Sequence, residues 1–592
     1  AAGTPGYLAP ELLDREALVV PRRLDVYALG AILYELLTLR RPVLGGSAQE
    51  LLTATTNGDF VAPSVRAPER NVPVELDGIC LAALDHNPAS RTASAARLAL
   101  EVEEFLEGSR EARRRADAAD QATLAAVTIL AAHDGLGDDL DEARAEVLRF
   151  HDQLAPWDRI EAKRPMWRAE DRVRELVAQR AEAVEEAEAR YRHALEEVND
   201  HLDATSGLLE LWMGRLRADE EIGDSLAVRR TAARIRALDP DGADDRLRGD
   251  GRLTLVSEPA GARAWLHAFD ERDRLLLPAD GTDLGRTPLV DVVVPRGRHL
   301  VLLEATGREA ARVPLWIPRD GRAEHHVVLR DHGEIPEGMV YVPAGEFLTG
   351  GEDARYGGRR PLRTASTDAF AIANGPVTMR EYAGFMDSLL DRGPAGADVR
   401  CPRSDRGEPL MVLGSDIRFR PASGPLVPAD GDPFTTRAAR RLPVVGVSWD
   451  DAVAFAAYRS AQLGVELTLP TTAQWEKAAR GVDGRPYPWG DTWDPGFSNR
   501  AGSRPGAPRL EPVGTYGMDQ SVYGMRDACG GVQEWCADAV GEERRACRGG
   551  DWTEASGRTL GATLSAHASS RSLSVGFRLV TNFRSASPPP GS

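Results

Sequence analysis

VYGMRDACGGVQEWCAD, residues 522–538, is the stretch on which the reading of this chain turns. It places two acids, Asp527 and Glu534, on either side of a glycine pair, Gly530 and Gly531, and runs on into Trp535 and Cys536. Five blocks of similar texture precede it: IPEGMVYVPAGEFLTGG (335–351), FAIANGPVTMREYAGFM (370–386), LPVVGVSWDDAVAFAAY (442–458), LTLPTTAQWEKAARG (467–481) and YPWGD (487–491). One follows, CRGGDW (547–552) closing on VGFRLV (575–580). Glycine, proline and tryptophan at this density mark turns and loops rather than long regular elements.

The seven blocks, in this order, resemble the formylglycine-generating enzymes, the sulfatase-modifying factor family, over residues 334–584. The resemblance implies an irregular α/β fold related to C-type lectins. It also implies an oxidase whose two cysteines, after the RGG block, bind copper(I) as soft thiolates. Carried over by spacing, those positions fall on Glu554 and Thr559, and neither can be a thiolate. Cys547 precedes the block, and Cys529 and Cys536 lie in an earlier one, so spacing does not let them replace the pair. An iron-dependent branch of the superfamily needs a histidine cluster, and His567 stands alone in this stretch. The resemblance further implies calcium at Asp527, Gly530, Val532 and Glu534. Two carboxylates and two carbonyls suit a hard cation; the competing reading has the acids capping loops. The domain is expected to fold by itself and to act as a binding or sensor module for an unidentified ligand or protein. The alternatives are an active formylglycine-generating oxidase and a non-catalytic scaffold.

Upstream, RLTLVSEPAGARAWLH (252–267) and LGRTPLVDVVVPRGRHLVLLEATG (284–307) alternate apolar and polar residues between turn clusters, which predicts strands. Glu258-Pro259-Ala260-Gly261-Ala262, the turn Leu284 to Leu289, and Pro295-Arg296-Gly297 resemble the small all-β PEGA domain over 250–332. No chemistry is expected there. His325 and His326 are adjacent on a predicted strand and so face opposite ways, which makes them poor joint ligands.

Residues 108–245 are rich in Ala, Glu, Arg and Leu, with apolar residues at helical steps such as Val184, Ala187, Tyr191, Leu195 and Val198. AEARYRHALEEV (187–198) and IRALDPDG (235–242) resemble tetratricopeptide repeats; a plain helical spacer is the alternative. In residues 1–107, AGTPGYLAPE (2–11), RRLDVYALGAILYELLTLRRP (22–42) and LDHNPASRTASAARLALEVEEFL (84–106) resemble, in this order, the C-lobe of a bacterial Ser/Thr protein kinase. The second piece predicts a helix apolar over most of its circumference, as suits a central position. The resemblance makes Ala9-Pro10-Glu11 the end of the substrate-docking loop. It pairs Glu11 with Arg91, sets Thr4 against a catalytic Asp, and makes Asp25 a cap on the catalytic loop. No Gly-rich phosphate loop, V-A-I-K, H-R-D or D-F-G motif occurs in the chain. It is therefore expected to be a fragment of a kinase. Only the intact parent would bind ATP and magnesium and phosphorylate Ser or Thr on protein substrates.

The bulk numbers agree with a multidomain signalling protein. A length of 592 residues suggests about three to five domains. A net charge of −18 repels phosphates, so nucleic acid is not an expected partner. Five cysteines at irregular spacing give no disulfide framework. The apolar run ATLAAVTILAA (122–132) is too short to span a bilayer, so no membrane segment is expected. These features point to the cytoplasm and leave 585–592 as a disordered tail.

Overall fold

A computed structural model describes residues 4–583 except 5, 14–19, 46, 59, 155–158, 223–224, 352–361, 391–393, 416–417 and 422–440. The tail 585–592 lies outside the described residues. The chain forms two units, Ala1–Ala243 and Asp244–Ser592.

The first unit is helical. Proline opens the Pro21–Thr38 helix, where its missing N–H leaves no bond unmade. Leu39 closes it in the left-handed region, donating its N–H to Glu35 O. Tyr27, Ala31 and Tyr34 are buried with Ala9, Cys80 and Leu84. The rest of its apolar circumference is not covered: Leu29, Ile32 and Leu36 are 41%, 46% and 66% exposed. Further along, Ser94 accepts the Arg97 N–H and starts a helix that runs unbroken from Ala95 to Gln153, straight through residue 107. It packs along the Ile160–Glu197 helix, and Leu202–Ile222 and Ser225–Leu238 follow. Helices of 59, 38, 21 and 14 residues do not repeat at the period of roughly 34 residues that tetratricopeptide arrays need.

The second unit begins as two small sheets. Gly251–Glu258 pairs antiparallel with Leu289–Val294 and parallel with Arg322–Val328. Arg263–Arg272 lies between Leu275–Pro278 and Gly297–Glu304, which pairs on with Ala311–Ile317. Strand alternation turns Leu253, Leu255, Val301, Leu303, Val313 and Leu315 into one core. On Arg322–Val328, His325 is half-buried and His326 exposed.

This β-module does not close on itself. Tyr341, Ala369 and Phe583, from the remainder of the unit, pack into its core. Its Leu300 packs with Trp475 and Trp489, and Leu276 N–H donates to Trp489 O at 2.8 Å. Arg298 pairs with buried Asp483 at 2.8 Å and with Asp491. Residues on both sides of position 333 therefore share an interior, which runs against independent folding of the last stretch.

That last stretch is mostly loops held by short elements. Met339–Val342, Phe370–Ala373 and Val580–Asn582 form one sheet; Gln533–Ala539, Arg544–Arg548, Leu564–His567 and Val575–Gly576 form another. The helices Met379–Leu390, Trp449–Leu463 and Thr472–Arg480 pack around them. No helix among the described residues is long and apolar enough to cross a membrane.

Candidate functional site

The Thr472–Arg480 helix is the hub of this region. Thr471 and Gln474 form a reciprocal capping box that fixes its first turn. From there every residue from Trp475 to Arg480 is buried. Glu476 accepts from Thr349 Oγ1 (2.7 Å), Gly350 N (2.9 Å), Arg480 (2.6 Å) and Arg548 (2.7 Å), so its charge is fully answered. Lys477 has no such answer. Its Nζ donates to Pro343 O, Gly345 O and Thr367 Oγ1 at 2.8–3.1 Å, and burial pushes its pKa down to about 7. Above that value the folded chain has released a proton that the unfolded chain still binds, so stability rises with pH. Lys477 is expected to contribute a gain of roughly 2 kcal/mol between pH 7 and 9, set against the opposite slope of the buried thiols, which stay protonated in the folded chain; Lys477→Met should remove the Lys477 share alone. Urea titrations of both chains at each pH measure the difference in slope, and equal slopes would count against a desolvated charge.

The Gln533–Ala539 strand and the loop that precedes it carry the acids. Glu534 is fully buried and takes Arg578 Nε at 2.5 Å, Arg578 Nη2 at 2.6 Å and Trp475 Nε1 at 2.8 Å. Asp527 sits in the left-handed region, and its Oδ2 accepts the Gly514 N–H at 2.7 Å. Burial is the main cause that raises its pKa to about 6, with the Glu534 charge adding to it. Asp519, unremarked in the sequence, is buried beside it and accepts the N–H groups of Ala528, Cys529 and Gly530. Burial pushes Asp519 up to about 7. Gly530 packs so closely on Asn499 that a Cβ there would lie 2.6 Å from its carbonyl oxygen.

The region after Arg548 is organised by Arg500. Its buried guanidinium donates Nε to Cys529 O at 2.6 Å and Nη2 to Arg558 O at 3.3 Å; it bonds Ser556 O and lies 3.5 Å from Glu554 Oε2. Glu554 Oε1 pairs with Arg558 at 2.8 Å. Gly550 has to be glycine, because a Cβ would strike this guanidinium and Cys529 O. Thr559 Oγ1 is buried without a protein hydrogen-bond partner. Cys529, Cys536 and Cys547 are unpaired and buried. Burial pushes the Cys529 and Cys547 thiols up to about 12 and Cys536 well above its ordinary value. A copper(I) thiolate pair does not fit this arrangement: the positions after the RGG turn hold an acid and a hydroxyl, and a guanidinium stands among them. Among the described residues, no three His, Cys, Asp or Glu side chains are grouped to hold a metal. His567 is exposed and bonds Ser569 and Glu543.

Residues 326–583 match the sulfatase-modifying factor enzyme 1-like domain. Over 245 residues the chain is 34% identical to the inactive C-alpha-formylglycine-generating enzyme 2 of Mus musculus, a match spanning 38% of this chain and 76% of that protein. The chain belongs to the sulfatase-modifying factor family. Within that family it is also 30% identical over 240 residues to the formylglycine-generating enzyme of Thermomonospora curvata, covering 35% of this chain and 74% of the enzyme. A serine/threonine-protein kinase, Pkn1 of Chlamydia trachomatis, is 28% identical over 203 residues, covering 34% of this chain and 28% of the kinase.

Outside the sulfatase-modifying factor domain, Glu11 and Arg91 form a buried two-pronged ion pair at 2.8 and 3.0 Å, with Arg91 over the Tyr27 ring. Ala9 and Pro10 are buried next to it, whereas Thr4 and Asp25 are exposed.

Proposed function

We propose that the sulfatase-modifying factor domain of this chain is a binding or sensor module that does not oxidise cysteine. The carrying observation is the Arg500–Glu554–Arg558 network, which stands where spacing would put a thiolate pair. Similarity to a relative named inactive supports the reading; similarity to formylglycine-generating enzymes supports the rival oxidase in family terms alone. The full chain, incubated with copper, oxygen and a cysteine-containing sulfatase-type peptide, is expected to leave the peptide mass unchanged. The Glu554→Cys, Thr559→Cys double variant is expected to gain copper(I) affinity. Aldehyde formation by the native chain, abolished by Cys536→Ser or Cys547→Ser, would overturn the proposal.

Calcium belongs to the same proposal. The donors are all oxygens: Asp527, the carbonyls of Gly530 and Val532, and the one lone-pair direction of Glu534 left by Arg578 and Trp475. A cation there would offset the desolvated charge of Asp527 and brace the loop. Calcium at 100 times its dissociation constant should add about 2.7 kcal/mol, read as a rise in melting temperature. Asp527→Ala should remove that rise; an equal rise in the variant would place the ion elsewhere.

For residues 1–107 we infer the C-lobe of a Ser/Thr kinase, supported by the buried Glu11–Arg91 pair; the likeness to a kinase spans 203 residues and so reaches beyond this segment. A complete kinase domain would bind ATP and magnesium and act on protein substrates; this chain, with no phosphate loop, V-A-I-K, H-R-D or D-F-G motif, is expected to incorporate no labelled phosphate. The unpaired cysteines suit a reducing cytoplasm.

A further inference from the structure

A cavity of about 240 Å³ lies between the β-module and the sulfatase-modifying factor domain. Phe269, Leu275, Leu277, Trp489 and Val522 wall it, and half-exposed Met518 lines it from one side. It is built rather than incidental. The Leu276 N–H bond to Trp489 O fixes one wall, and Gly490 approaches Leu276 so closely that a Cβ would stand 3.0 Å from it. Trp489 is in turn held by stacking on Tyr487.

Two arginines line this space, and they differ. Arg485 spends its charge on buried Asp483, with Nη2 at 2.9 Å from the carboxylate. Arg312 donates Nε to Val522 O at 2.6 Å and meets no carboxylate among the described residues. Among the described residues no Asp or Glu lines the cavity, while Gln520 and Ser521 do. Burial alone pulls the Arg312 pKa down, with no neighbouring charge opposing it. A partly desolvated guanidinium at the edge of an apolar pocket is under-solvated, and a carboxylate with an apolar body would answer both surfaces at once.

We propose that this cavity binds a small apolar carboxylate, its acid group on Arg312 and its body against Phe269, Leu275, Leu277 and Trp489. The volume decides the size: drug-sized ligands and nucleotides need upwards of about 300 Å³, so a small acid or a single C-terminal apolar residue of a peptide fits. The inference deepens the binding-module reading and rests on it for its purpose alone.

The test titrates the full chain with phenylacetate, with phenylacetamide as the neutral control, and with a tetrapeptide ending in Phe as free acid and as amide. Saturable binding of either acid, at least tenfold stronger than that of its amide and followed by calorimetry, is expected. Arg312→Gln should weaken it at least tenfold. Because Arg312 also holds Val522 O, a second variant, Met518→Trp, fills the cavity from the exposed side and should abolish binding with Arg312 intact. Binding of phenylacetate assigns a free acid, and binding of the peptide alone assigns a chain terminus; both support the site. Equal affinity for acid and amide, or no binding of any probe at 10 mM (roughly −2.7 kcal/mol), would overturn it. Failure here leaves the absence of oxidase chemistry standing, whereas aldehyde formation would remove that reading and leave this result untouched.

Discussion

Arg578→Met is expected to destabilise the second unit by about 3–5 kcal/mol. Arg578 and Glu534 are both fully buried, and the pair is bidentate. Removing the cation leaves a carboxylate in a dry interior, with Trp475 Nε1 as its remaining side-chain donor among the described residues. Arg578 also donates to the carbonyls of Ala373, Asn374 and Arg526, so two segments lose their common anchor. Against a total stability of about 5–15 kcal/mol for a native domain, this is a large fraction. The Glu534→Gln, Arg578→Met double variant removes both charges and should recover part of the loss, because the dominant cost is the unpaired charge rather than the missing contact. Urea unfolding of the unsubstituted chain, the Arg578→Met and Glu534→Gln single variants and the double variant measures the coupling. If the double variant is as unstable as the sum of the two singles, the ion pair is not the source of the effect.

The legibility of the chain varied with the range of the interactions. The helix starts are encoded by local devices: Thr471 with Gln474, Ser448 with Asp451, and Ser94 with the Arg97 N–H lie within one turn. The seven blocks led to the family because their glycines and tryptophans serve close approaches, as Gly530 does on Asn499 and Gly550 on Arg500. What could not be read were partners distant in the chain. Glu476 meets Arg548 across 72 residues, and Arg500 meets Glu554 across 54. No pattern in either segment announces the other. Asp519 carries no sequence signal that marks it, and its burial with four hydrogen bonds from backbone N–H groups sets it apart. The Pro21–Thr38 helix shows the opposite error: its apolar residues were plain, but hydrophobic pattern does not say which faces are covered.

Boundaries were the least legible feature, and they carry the last prediction. A fragment beginning at Glu334 and ending at Asn582 is expected to melt at least about 10 °C below the Asp244–Asn582 unit, or to be insoluble. The texture change near residue 333 is real, but composition reports local structure and not shared interiors. Cutting there strips Leu300, Leu302, Phe269 and Leu275 from the cluster around Trp475 and Trp489, and it bares Tyr341. Each 100 Å² of apolar surface so exposed costs roughly 2.5 kcal/mol. The cut also takes Arg298 from Asp483, whose side chain is 3% exposed, leaving Arg485 as its one arginine partner. For a domain of this size one kcal/mol moves the midpoint by about 2–4 °C, so four or more such losses reach the stated shift. Arg298→Ala in the longer unit isolates the ionic part and should shift the midpoint far less than the cut does, since surface burial is the larger loss. Scanning calorimetry on the fragment, the unit and the variant separates these contributions. A fragment that melts with the unit would show that the shared interior contributes nothing, and that the two β-regions touch without stabilising each other.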